Sequence, residues 1–154
     1  MIGLTECIAG LSGMVETVFG APPVTKDVRE GFTRPATYLT PIDARADRTG
    51  ALRHETVFFE LVHFAARTDR GWKDLLTAHK ALVAALEGPV RVADGFHLLA
   101  EDADFDLDRE TMSLTCTFEV ELFQASPMAD WTGGSDKNMD TLELDGKTVA
   151  APED

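Results

Sequence analysis

Four histidines, two cysteines and a dense run of aspartates are the side chains of this 154-residue chain best suited to chemistry. His54, His63, His79 and His97 sit in no H-x-x-x-H or H-E-x-x-H spacing, the patterns that set two imidazoles on one helix face around a metal. His63 and His97 both fall in segments that read as strands. The fold could bring them together as a metal or acid–base pair, and the competing reading is an ordinary pair of core and surface histidines. Cys7 and Cys116 lack a metal-ligand spacing and are too few for a disulfide scaffold. Cys116 falls on the apolar side of an alternating segment, where a thiol is expected to be buried and inert.

Asp102-Ala-Asp104-Phe-Asp106-Leu-Asp108 resembles the first half of a calcium loop. Such a loop needs glycine at its sixth position and glutamate at its twelfth, and this chain has Leu107 and Ser113 there. The run reads instead as an acidic alternating strand or turn with Ala103, Phe105 and Leu107 inward. There is no G-x-S-x-G, no phosphate-binding P-loop and no G-x-G-x-x-G, and Gly133-Gly134 lies in acidic surroundings that repel phosphate. No catalytic residue, cofactor site or metal site is expected, which points to a binding or structural role.

The charge is unevenly placed. Residues 1–91 hold eleven acidic and eleven basic side chains, while residues 92–154 hold sixteen acidic against three basic, so the net charge of −13 belongs to the C-terminal part. That field repels nucleic-acid phosphates and disfavours sequence-independent binding, although DNA could pass such a wall without sticking to it. A solvated acidic face that aids solubility is the plain alternative. No apolar run approaches the roughly 18 residues of a membrane span and no leader pattern opens the chain, so synthesis in a reducing cytoplasm is expected.

The elements that would carry these residues are legible from periodicity. Leu4, Ile8, Leu11, Val15 and Val18 recur at helical spacing over residues 2–19, and Gly20-Ala21-Pro22-Pro23 stops that helix. Gly10 and Gly13 lie off the stripe and weaken it. Residues 36–42 read as a strand and 43–50 as a charged loop. Arg53–Ala65 is a strand with apolar groups on both faces, hence central in its sheet. Thr68 or Asp69 is expected to cap a helix carrying Trp72, Leu75, Leu76, His79, Leu82, Val83 and Leu86, stopped by Gly88-Pro89. Short strands surround Asp94-Gly95. Thr111–Phe123 alternates strictly, with Met112, Leu114, Cys116, Phe118, Val120 and Leu122 on one side and polar residues on the other. Residues 131–136 look like a linker, and 141–149 alternate around Asp145-Gly146, a hairpin signal. This order predicts an α+β fold: a mostly antiparallel sheet of four to five strands with both helices on one face. The chain divides into a domain over 1–127 and an acidic extension over 128–154, whose hairpin needs a surface to dock on.

Several features in this order resemble the phage tail terminator (tail completion) family over roughly residues 4–124. They are the N-terminal amphipathic helix, Val28-Arg-Glu-Gly-Phe32-Thr-Arg-Pro35-Ala-Thr-Tyr38 leading into the first strand, and the Arg53-to-Phe64 strand ending in alternating aromatics. A helix of about five turns follows, and then Asp94-Gly-Phe-His-Leu98 before a final amphipathic strand. The residues after Met128 depart from the pattern. The resemblance implies a structural virion protein that forms a ring, usually of six copies, at the head-proximal end of the tail tube, ends tube growth and offers the head-joining surface. It implies as partners further copies of the chain, the tail tube protein and the head–tail connector, with DNA passing through unbound and no membrane involved. A ring needs a heterologous interface that closes by rotation. Apolar strand edges and the hairpin residues Leu142, Leu144 and Val149 are expected to supply it, with Arg45, Asp47 and Arg48 of the charged loop reaching a neighbour. Glu101, Asp102, Asp104, Asp106 and Asp108 are candidates to line the lumen. A head–tail connector or neck component, an acidic DNA mimic and a small α+β enzyme or ligand-binding domain stay open as alternatives.

Overall fold

A computed structural model describes residues 2–25, 27–125, 141–144 and 147–150. Helix α1 (Leu4–Phe19) is followed, after a 3-10 turn over Val28–Glu30, by strands β1 (Ala36–Thr49) and β2 (Leu52–Phe64), helix α2 (Trp72–Glu87), and strands β3 (Val90–Ala93), β4 (Phe96–Leu98), β5 (Ala100–Asp108) and β6 (Ser113–Ala125). Strands β7 (Thr141–Leu144) and β8 (Lys147–Ala150) complete the order. The main sheet runs β1-β2-β6-β5 with every neighbour antiparallel, and β3-β4 and β7-β8 are separate two-stranded ribbons. The α+β class, the four antiparallel strands and the two helices on one face match the sequence reading.

Helix α1 begins where the Gly3 N–H donates to Glu6 Oε2 at 2.9 Å and ends where Gly20, at φ +76°, donates to the Glu16 carbonyl at 2.8 Å. Cys7, Leu11 and Val15 form its buried face, with Ile8 and Val18 half-buried and Leu4 exposed. Gly10 is no mere weak point. A Cβ there would lie 2.8 Å from the Arg91 carbonyl oxygen, so the missing side chain lets α1 touch β3. Helix α2 differs from expectation at its start: neither Thr68 nor Asp69 caps it, because Asp69 is held by Arg67 at 3.0 Å and the helix opens at Gly71. Leu75, Ala78, Leu82 and Leu86 are its buried face, while Leu76 faces outward.

The helices cover one side of the sheet. Val57, Phe59 and Leu61 of β2 and Leu114, Cys116, Phe118, Val120 and Leu122 of β6 pack under them, joined by Phe105 and Leu107 at the margin. Phe59 and Phe118 stack at a centroid distance of 5.7 Å. Burial of each such large apolar side chain contributes about 1.5–3 kcal/mol, which makes this layer the main source of stability.

Residues 43–49 form strand rather than loop. They pair with β2 in continuous register from Asp43↔Phe58 to Thr49↔Leu52, and Gly50 at φ +61° turns the chain. Low strand propensity is outweighed because β2 offers a complete ladder of backbone partners and solvent accepts the charged side chains. A bulge at Ile42, just after Pro41, shifts the register, and Pro41 has no N–H to give. Past the bulge β1 follows β2 to the Thr49↔Leu52 pair and β6 follows it to Ala125, and this end of the sheet is the arm.

Candidate functional site

The side of the sheet without helices carries His54 and the carboxylates of β5 and β6, and its cross-strand register sets them in rows. From the base toward the arm the rows are Ala36–Phe64–Ser113–Asp108, Tyr38–Val62–Thr115–Asp106 and Thr40–Glu60–Thr117–Asp104, then Asp43–Phe58–Glu119–Glu101. On the arm, Arg45, Thr56 and Glu121 form the next row and Asp47, His54 and Phe123 the last. Opposed residues in an antiparallel ladder share a face and touch, so the pattern converts strand alternation into a surface.

The base of this face is aromatic. Phe32 lies 4.4 Å from Phe64 and 5.8 Å from Tyr38, ring centre to ring centre. The Arg34 guanidinium sits over Phe32 and Phe64 at 5.6 and 5.3 Å, and it donates to the carbonyls of Ala65 at 3.1 Å and Thr111 at 2.7 Å, with Met112 at 3.5 Å. One planar cation thus ties the end of β2 to the turn before β6. The Tyr38 hydroxyl is buried with no hydrogen-bond partner among the described residues.

The middle of the face is acidic. Glu119 loses solvent to its neighbours and feels the carboxylates of Asp102, Glu121 and Glu101, so its carboxyl is held above the ordinary range. Asp102 stands at φ +49°, in a bulge that adds one residue to β5 between Glu101 and Asp104. A shallow depression of about 220 Å³ lies here, walled by Ile42, Phe58, Asp102, Asp104, Thr117 and Glu119. Toward the arm end two apolar side chains are exposed, Leu52 at 45% and Phe123 at 56%, while Ile42, 55% exposed, stands farther back at the bulge beside Phe58. His54 stacks flat on Phe123 at 4.3 Å and meets Glu121 at 3.2 Å, and Arg45 covers Phe58 at 5.5 Å.

Residues singled out from the sequence fall as follows. Arg45 and Asp47 lie on the helix-free side of the arm, and Arg48 opposes Arg53 on the other side. Glu101, Asp104 and Asp106 are exposed along β5, whereas Asp108 accepts the N–H groups of Glu110 and Thr111 at 2.8 and 3.3 Å, which lowers its pKa and makes it the cap of a turn. Leu142 opposes Val149 and Leu144 opposes Lys147 in the β7–β8 register, while the linker over 131–136 lies outside the described residues. His63 and His97 occupy different sheets. His63 is buried, shares a hydrogen bond with Thr37 Oγ1 at 2.8 Å, stacks on Phe19 at 4.1 Å, and is pushed down to a pKa of about 4 by desolvation. His97 is exposed on β4. Cys7 and Cys116 are both fully buried, with pKa values pushed up to about 11 and 12 by desolvation.

The sheet edges are not apolar as expected. The edge β1 carries Pro41, a bulge and four charged residues, and the edge β5 carries a bulge and five carboxylates. Such edges resist strand addition. The apolar material sits on the sheet face instead, and Phe123 was the available signal: it interrupts the polar series Ser113, Thr115, Thr117, Glu119, Glu121. Among the described residues no group of three or more His, Cys, Asp or Glu is placed to hold a metal, and no helix is long and apolar enough to cross a membrane.

A family model for phage tail terminator proteins matches residues 6–130, which takes in both helices and the whole main sheet. The chain belongs to the phage tail terminator protein family. A search of the curated proteins finds no match. Membership in this family makes the chain a structural component of a bacteriophage tail, with other tail or head components as its partners. A tail terminator works through surfaces, and the helix-free face is a surface whose residues the sheet itself sets in rows. Its family match ends at residue 130, short of the β7–β8 ribbon.

Proposed function

We propose that this terminator closes the head-proximal end of a tail tube as a ring of identical copies, stops tube polymerisation and presents the surface that joins the head. The observation that carries the reading is the family match over a domain whose helix-free sheet face sets exposed charged and apolar side chains in rows. In this reading the copies are made and assembled in the host bacterium. Arg45, Asp47 and Arg48 on the arm, with Leu142, Leu144 and Val149 of the extension over 128–154, supply contacts between copies. The exposed carboxylates of Glu101, Asp102, Asp104 and Asp106 line the passage, and DNA slides by because like charge repels it; Asp108 contributes charge from the turn.

The test is to polymerise the cognate tube protein with and without this chain. Capped tubes of uniform length, ending in an annular density by electron microscopy, are the expected result. Tubes of unchanged length distribution with bare ends overturn the proposal. A ring with the β5 carboxylates on its outer rim removes the lumen assignment and leaves the capping role intact.

A further inference from the structure

We propose that the outer stripe of α2 docks on the helix-free face of a second copy of this chain, with Leu76 seated in the depression beside Ile42 and Phe58 and with Lys73 and Lys80 against the carboxylates around it. The inference rests on the ring reading above and specifies the contact between copies.

Helix α2 buries Leu75, Ala78, Leu82 and Leu86, yet leaves Leu76 47% exposed. Lys73 precedes Leu76 by three residues and Lys80 follows it by four, so the three share one stripe, an apolar knob between two ammonium groups. Both lysines are exposed, and neither has an ion-pair partner among the described residues. Arg109, stacked over Trp72 at 4.7 Å one turn before Leu76, adds a further cation. Asp74 lies on another flank of the helix, where it lines a cleft with His63.

The depression complements this stripe. Its apolar wall is Ile42 and Phe58, its carboxylates are Asp102, Asp104 and Glu119, and its volume of about 220 Å³ admits a leucine side chain. Asp43 and Glu101 stand in the same row as Phe58 and Glu119, and the nearby cation Arg45 is already paired with Asp43. Asp102 and Asp104 are exposed and have no cation partner among the described residues. Lost solvent and the carboxylates of Asp102, Glu121 and Glu101 raise the proton affinity of Glu119, a crowding that an incoming ammonium relieves. Helix α2 packs over β5 and β6 on one side of the sheet, and the depression opens on the other. Each copy therefore offers a knob to one neighbour and a seat to the next, a heterologous contact that closes into a ring when the rotation permits. The joint takes up Asp102 and Asp104, and Glu101 and Asp106 are left to face the passage.

The test uses the full chain, free and on the ends of its cognate tube. Lys73→Glu with Lys80→Glu reverses the stripe, and Asp102→Lys with Asp104→Lys reverses the seat. Each pair alone should weaken association between copies at least about tenfold, because like charges then oppose, and a chain carrying all four changes should recover most of the loss. Sedimentation and electron microscopy of tube ends read association, and circular dichroism checks that each variant folds. Location is read by crosslinking: Lys80→Cys and Asp104→Cys are made in separate preparations, mixed, and joined with a short bismaleimide. Cys7 and Cys116 are fully buried and stay silent to it. Asp94→Cys, in the turn after β3 with a side chain 96% exposed, replaces Lys80→Cys as control. A mixed dimer at least about tenfold above the control is expected, as seating raises the local concentration. Association unchanged in both reversed pairs, or a crosslink at the control level in both settings, overturns the proposal. So does a loss in the stripe variant that the fourfold variant does not restore, which would give α2 to the tube protein instead. Rings that form without this crosslink remove the contact but keep the ring, and the crosslink without rings does the reverse.

Discussion

Arg34→Ala should lower stability by about 2–4 kcal/mol, although the residue lies at the margin of the fold and precedes a proline. Its guanidinium makes two hydrogen bonds of good length, 3.1 Å to the Ala65 carbonyl and 2.7 Å to that of Thr111. Hydrogen bonds from a charged donor contribute about 1.5–3 kcal/mol each, and their partial exposure to solvent discounts them by about half. Stacking on Phe32 and Phe64 adds about 0.5–1 kcal/mol. For a chain of this size that loss corresponds to a fall in Tm of roughly 6–12 °C. Thermal melting by far-ultraviolet circular dichroism, with urea titration alongside, reads it. The sharper arm of the experiment is Arg34→Lys, which keeps the charge but cannot reach both carbonyls from one ammonium. It should recover less than about half of the loss, because the planar fork and not the charge bridges β2 to the turn before β6. A lysine variant as stable as the parent, or an alanine variant within about 0.5 kcal/mol of it, would refute the reasoning.

Other perturbations have opposite signs and so test the packing account from both sides. His63 is held neutral, with a folded pKa of about 4 against 6.5 unfolded, so the unfolded chain binds a proton first as pH falls. Stability should drop between about pH 6.5 and pH 4, by up to about 3 kcal/mol, and in His63→Gln urea titrations that part of the decline should vanish. Tyr38→Phe removes a buried hydroxyl with no partner, so it should be neutral or stabilise by up to about 1 kcal/mol in urea unfolding. Gly10→Ala drives a methyl to 2.8 Å from the Arg91 carbonyl and should cost about 1–3 kcal/mol, while Gly13→Ala meets nothing within 4 Å and should stabilise by about 0.5–1 kcal/mol, a contrast that melting of the pair reads directly.

The strict alternation of residues 111–123 made the buried side of β6 readable, because only one register hides Leu114, Cys116, Phe118, Val120 and Leu122. Gly88-Pro89 marked the end of α2 for a similarly local reason. The arm was not readable. Asp43 to Thr49 carry almost no apolar signal, and their strand exists because Leu52–Phe58 supply the missing ladder. Nor could Gly10 announce its close approach to β3, a contact between segments about eighty residues apart. Arg34 escaped for the same cause: its carbonyl partners come from Ala65 and from Thr111. The alternating strand read over the β5 aspartates holds from Asp104 to Asp108, with Phe105 and Leu107 half-buried, but the bulge at Asp102 leaves Ala103 exposed, and the role of Asp108 as a turn cap depends on two N–H groups that periodicity does not reveal.

Pro41, the Ile42 bulge and the doubled bend at Asp102 do more than shape the outer strands. Each interrupts the ladder on which another molecule's backbone would have to template. A concentrated pool of this chain is thereby hindered on the simplest route to fibres, edge joined to edge without limit. Association through side-chain surfaces of fixed angle is what remains, and in the ring proposed above such growth stops once the circle is full.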